Sequence, residues 1–158
     1  MVAVASLMKK LLPFACLSFV LSAHAVPNLT ATTDHVLDGD TFAATVHLED
    51  GAGVSARVRF INIDAPETNG ECGSEIEWAK KSKNRLEELL PAGTKVILSD
   101  IKDDKYLGRI DARVKFPNGR DVGQIMIDEN MAKAYNGGRR GRWCAPDEIK
   151  QWGRGNKK

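Results

Sequence analysis

The sequence predicts a mixed α+β fold that is mainly β: a five-stranded closed barrel with about three helices, in one domain. Three observations predict it. Five short runs carry β-branched, aromatic or alternating apolar residues, two longer runs repeat their apolar residues at helical spacing, and Gly-, Pro- or Asp-containing turns separate them.

In chain order, residues 29–37 and 41–48 are rich in Thr, Val, Leu and Phe and read as two strands. Asp38-Gly39-Asp40 joins them, a turn signal in which glycine takes positive φ cheaply. Glu49 to Gly53 form another turn. Residues 54–63 alternate, with Val54, Ala56, Val58 and Phe60 on one face and Ser55, Arg57, Arg59 and Ile61 on the other. Pro66 ends this strand.

Residues 74–90 read as a helix with Ser74 as N-cap, Glu75 and Glu77 in its first turn, and Ile76, Ala79, Leu86 and Leu90 sharing a face. Pro91-Ala92-Gly93 stops it. Thr94–Ser99 is a fourth strand and 109–116 a fifth, the latter with Ile110, Ala112, Val114 and Phe116 inward. Pro117-Asn118-Gly119 turns the chain into a second amphipathic helix over 121–132, and Pro146-Asp147 opens a short third. Five short strands with helices inserted suit a small barrel of the OB type.

The N-terminus carries an address. Met8-Lys9-Lys10, an apolar run and Ala23-His24-Ala25 have the layout of a secretory signal peptide, with cleavage expected after Ala25. The run is shorter than the about 20 apolar residues that a spanning helix needs, so no stable membrane insertion is expected after cleavage. Residues 26–158 then form a single domain, expected as a monomer, periplasmic or extracellular. Its charge is near balance but uneven. Residues 26–138 hold 14 Lys and Arg against 19 Asp and Glu, whereas 139–158 hold seven against two. Near neutrality argues against a non-specific nucleic-acid coat protein. The basic tail suits either a hold on a polyanion or a solvated end.

Two cysteines remain after cleavage, Cys72 and Cys144. In an oxidising compartment they are expected to pair, closing a loop of roughly 73 residues and contributing about 4 kcal/mol in the chain-entropy model. Two free thiols are the other reading. A zinc site is disfavoured, because neither His35 nor His47 lies at ligand spacing from a cysteine.

Three groups at strand ends carry chemistry: Asp38-Gly39-Asp40-Thr41, Arg59 to Glu67, and Asp104-Lys105-Tyr106-Leu107-Gly108-Arg109. Asp40 and Asp64 are hard oxygen ligands without Cys or His nearby, which suits Ca²⁺ or Mg²⁺ over a soft metal. Glu67 follows Asp64 across a stiffening proline, placed to orient or deprotonate a water. Arg59 and Arg109 offer planar forks that match phosphate oxygens. Hydrolysis of a phosphodiester needs this set: a cation, a positioned water and fixed positive charge where negative charge grows. Taken singly, each group also reads as a turn, a strand end or a surface charge.

In this order, HVLDGDTF, RVRFINIDAPET and DKYLGRIDARV resemble the signature segments of the staphylococcal (micrococcal) nuclease family over about residues 30–136. The resemblance implies an OB-fold barrel with three helices and Ca²⁺-dependent cleavage of DNA and RNA at the 5′ P–O bond, leaving 3′-phosphates. It assigns Asp40 and Asp64 as calcium carboxylates, Ala65 as a backbone-carbonyl ligand, Glu67 as general base, and Arg59 and Arg109 as phosphate-binding arginines. Lys105 and Tyr106 match a pair that contacts a nucleotide's terminal phosphate, and Tyr135 a tyrosine near the base. Leu107 adds one residue to the family's Lys-Tyr-Gly-Arg run. The following strand fixes the register of Arg109, so the shift is expected at Lys105-Tyr106. The loop after Glu67 is also shorter and carries Cys72. A non-catalytic OB module that binds nucleic acid is the alternative, but binding alone has no need of the acidic residues, which repel phosphate unless a cation lies between.

Overall fold

The computed structural model describes residues 27–146. The expected leader and the tail from Asp147 on fall outside them, and with that tail all but the first residue of the third helix expected from Pro146-Asp147. The element order is β1 (Leu29–Asp38), β2 (Thr41–His47), β3 (Gly53–Phe60), β4 (Ile63–Asp64), α1 (Gly73–Leu89), β5 (Lys95–Asp103), β6 (Arg109–Lys115), α2 (Val122–Asp128) and β7 (Lys133–Ala134). Five strands close a barrel in the order β1-β2-β3-β6-β5, and β4 pairs with β7 in a separate ribbon. All neighbours are antiparallel except β3 and β6, which run parallel and close the barrel. Closure leaves no barrel edge open.

The core fills the barrel and its α-helical base. Phe42, Val58, Phe60, Val96, Leu98, Ala112 and Val114 are buried from the strands, and Leu86 of α1, its C-cap Leu90, and Val122 and Met126 of α2 join the same core. The inward set on β3, β5 and β6 is the one alternation predicts, with Val54 exposed where β3 overhangs the core.

Four boundaries differ from expectation, each for a physical reason. The strand expected over 54–63 breaks after Phe60, because Ile61 and Asn62 turn the chain from the barrel to β7, where the Tyr135 N–H donates to the Asn62 carbonyl at 2.9 Å. Helix α1 is capped by Cys72, whose sulfur accepts from the Glu75 N–H, and not by Ser74. Strand β5 runs on to Asp103, past a register irregularity around Asp100, whose φ is +53°. Helix α2 starts after Asp121, an N-cap accepting from the Gln124 N–H, and ends before Asn130, whose φ is +58°.

Gly39 is needed for a reason other than turn conformation. Its φ is not positive, but a Cβ there would meet Ser82 Oγ at 2.2 Å and Ala65 Cβ at 2.8 Å. The β1–β2 turn thus lies flat against α1 and the start of the loop after β4, which carries Asp40 to Asp64 and Ala65.

Candidate active site

The barrel brings the three sequence groups to one mouth. Asp40 follows the β1–β2 turn, and its backbone is fixed from both sides: its N–H donates to Asp38 Oδ1 at 3.1 Å and its carbonyl accepts from the Phe60 N–H at 3.0 Å. Its side chain is buried and accepts from Thr41 Oγ1 at 3.0 Å and from the Ala65 N–H at 3.2 Å. Asp64, in β4, is equally buried. Arg59 points outward from β3, as alternation predicts, and its Nη2 lies 3.2 Å from Asp40 Oδ2.

Burial dominates the electrostatics of Asp40. Loss of solvation outweighs the pull of Arg59 and lifts its pKa from 3.8 to about 6. Because the folded pKa lies above the unfolded one, the stability this group contributes is fully present below about pH 4 and is lost as pH rises through about 6. With a chelator present, the Asp40 carboxyl carbon should therefore titrate by NMR with a midpoint near 6. A midpoint at 4 or below would show that burial is not the governing effect.

Above these carboxylates lies an open cleft of about 900 Å³ lined by Arg59, Glu67, Lys105, Tyr106, Arg109 and Tyr135, together with Arg57, Asp104, Asp111 and Arg140. Arg109, at the start of β6, donates from Nε to Asp104 Oδ2 at 2.5 Å, and its guanidinium lies 4.4 Å from the Tyr106 ring centroid. That hydrogen bond holds the Asp104 carboxyl below the usual carboxylate range and raises the Arg109 pKa. Asp111, facing Arg59 across β3 and β6, is pushed up by burial and then by Asp104.

Leu107 is fully exposed at the tip of a turn in which the Arg109 N–H donates to the Tyr106 carbonyl at 3.1 Å and Gly108 has φ +74°. Lys105 and Tyr106 lie on the cleft wall with Arg109. Tyr135 also reaches the cleft, with its hydroxyl donating to the Gly138 carbonyl at 2.8 Å.

Two functional contacts escaped the sequence reading. The first is Glu75. Its buried carboxylate accepts the Glu67 N–H at 3.3 Å and the Glu71 N–H at 2.8 Å, and Gly70 packs so close that a Cβ would lie 2.6 Å from Glu75 Cγ. Glu75 thus shapes the loop that presents Glu67. As a candidate positioning residue it gives a test: Glu75→Gln is expected to lower kcat about tenfold, as loss of an orienting partner commonly does, with KM little changed. A change confined to KM would place Glu75 in substrate binding. The signal was available as an acidic residue in the first turn of α1, but the buried loop it holds was not. The second is Arg140. Its guanidinium contacts Asp64, the Ala65 carbonyl (3.0 Å), Asp40 (3.7 Å) and Glu67. The same segment continues to Cys144, which is bonded to Cys72 with their Cα atoms 6.0 Å apart.

The donor set fits a hard divalent cation. Asp64 Oδ2 is buried with no protein donor on it, a state that costs free energy unless a cation or water satisfies it. Asp40, Asp64 and the Ala65 carbonyl would hold the ion, all through oxygen.

Buried carboxylates beneath a cleft that holds several arginines suit the binding of a phosphate through a cation and guanidinium forks. The family model described as staphylococcal nuclease homologue matches residues 57–154. The chain is 31% identical over 133 residues to an uncharacterized endonuclease of Escherichia coli, covering 74% of this chain and 78% of that one. It is 29% identical over 128 residues to the micrococcal nuclease of Shigella flexneri, covering 77% and 67%. It is 30% identical over 110 residues to the endonuclease YhcR of Bacillus subtilis, covering 65% of this chain but spanning only 8% of that protein. The chain belongs to the staphylococcal nuclease family, and with it to the phosphodiester-cleaving hydrolases.

Proposed function

We propose that this chain is an exported, calcium-dependent, sugar-non-specific nuclease that hydrolyses DNA and RNA at the 5′ P–O bond and leaves 3′-phosphates. The observation that carries this reading is the convergence of Asp40, Asp64 and the Ala65 carbonyl around one positive centre, directly beside Glu67 and beneath Arg59 and the Arg109 cleft. The compartment rests on the N-terminal leader and on the paired cysteines. Among the described residues no helix is long and apolar enough to cross a membrane.

A calcium ion, when bound, supplies positive charge to a phosphate oxygen and sites for water. Glu67, on a loop fixed by Glu75, accepts a proton from the attacking water. The water oxygen bonds to phosphorus as the bond to the 5′ oxygen breaks, that oxygen takes a proton from solvent water, and Glu67 returns the proton it accepted to solvent. Arg59 and Arg109 meet the charge that grows on the phosphate oxygens, with Arg109 aimed by Asp104 and the Tyr106 ring. Lys105 and Tyr106 contact the neighbouring phosphate and Tyr135 the base. The test is digestion of plasmid DNA and of RNA with calcium, magnesium or chelator, followed by end-group analysis. Products ending in 3′-phosphate, formed with calcium and not with chelator, are expected. Products with 5′-phosphate, or cleavage in chelator, would overturn the reading.

A further inference from the structure

The basic segment after β7 does more than add charge to the cleft. Gly137 and Gly138, with φ of +88° and +89°, turn the chain back over the barrel mouth. The turn is held by the Tyr135 hydroxyl on the Gly138 carbonyl at 2.8 Å, by Lys133 Nζ donating to the Arg142 carbonyl at 2.5 Å, and by Lys133 over the Trp143 ring at 4.2 Å. Cys144, bonded to Cys72 at the start of α1, anchors its far end. Arg140 is delivered between these anchors. Its three nitrogens together reach Asp64, the Ala65 carbonyl, Asp40 and Glu67.

We propose that Arg140 is an intramolecular competitor for the cation site: it neutralises the buried carboxylates while the metal is absent and must leave them when the metal enters. The inference rests on the cation reading of Asp40 and Asp64 given above. Two anionic side chains, each 4% exposed or less, cannot stand together unpaired without a large penalty, and Arg59 reaches only Asp40 among them. Arg140 supplies the missing charge. Its side chain is 37% exposed, so it has solvent to withdraw into. The fork already engages Asp40 Oδ2 and the Ala65 carbonyl and sits on Asp64 Oδ1, so a divalent ion taking Asp40, the Ala65 carbonyl and the open Asp64 Oδ2 would meet the guanidinium charge at contact distance; the two equilibria are linked and whatever binds one weakens the other.

The test is calorimetric titration of the disulfide-bonded protein with calcium chloride, comparing wild type, Arg140→Gln and Arg140→Lys, with thermal melts in chelator and in saturating calcium. Arg140→Gln should bind calcium about five- to a hundredfold more tightly, the usual span of such coupling. It should melt below wild type in chelator and approach it in calcium. Arg140→Lys, which keeps the charge but not the fork, should fall between them. If Arg140→Gln unfolds in chelator and is restored by calcium, the competitor role is equally supported. Equal or weaker calcium binding by an Arg140→Gln variant that is folded in chelator, with wild type binding normally, would overturn the competitor role alone. Failure of every form to bind calcium would remove the cation reading along with it.

Discussion

Replacing Arg109 by alanine is expected to slow phosphodiester cleavage about 10²–10³-fold at saturating calcium, the usual effect of deleting a preorganised donor to a developing oxyanion. Arg109 begins β6, and the barrel strand sets its direction. Its Nε is fixed on Asp104 at 2.5 Å and its plane lies over Tyr106, which leaves the remaining fork nitrogens to face the cleft. A rigid fork loses little freedom on meeting a phosphate. Lysine at this position should recover little of the rate, because it offers a point charge without the second parallel donor. Single-turnover kinetics on a defined oligonucleotide would measure the effect. A rate within a few-fold of wild type would mean that Arg109 does not touch the reacting phosphate. Asp104→Ala should act in the same direction with a smaller effect, since it frees the guanidinium without removing it.

Replacing Phe60 by alanine is expected to lower stability by about 3–5 kcal/mol. Phe60 is 1% exposed and its ring centroid lies 5.8 Å from that of Phe42. The two rings pack inside the barrel directly behind the site, at the last residue of β3 before the chain breaks away toward Asp64. Truncation would leave a cavity that closed strands cannot collapse around. Urea denaturation monitored by circular dichroism measures it, and a loss under about 1 kcal/mol would show the barrel to be looser than described. The two variants separate the layers of the molecule: Arg109→Ala leaves the fold and removes the chemistry, whereas Phe60→Ala weakens both.

The barrel was legible because its strands are local. Alternation over 54–60 and 109–115 assigns Val58, Phe60, Ala112 and Val114 to the interior and Arg59 and Arg109 to the mouth, where the structure has them. The clustering of Asp40, Asp64 and Ala65 was legible only as three segments in a familiar order. What positions them is a close approach at Gly39 that no periodicity encodes. Less legible still were partnerships made across long stretches of chain. The β4–β7 ribbon joins Asp64 to Lys133, and the chain must leave the barrel at Ile61 to form it. Glu75 read as a favourable charge in a helix's first turn, yet it is a buried acceptor for two loop amides. Arg140 lay in a glycine- and arginine-rich stretch whose composition equally suits a solvated tail. Its place in the site depends on a turn through two left-handed glycines and on Cys144 finding Cys72.

The central claim is that Asp40, Asp64 and the Ala65 carbonyl jointly hold a calcium ion under the arginine cleft. Anomalous diffraction from crystals grown with calcium tests it most directly. The prediction is a calcium peak about 2.3–2.6 Å from an oxygen of each of the three residues, with the Arg140 guanidinium withdrawn. A peak elsewhere, or none at saturating calcium with Arg140 still on Asp64, would contradict the claim.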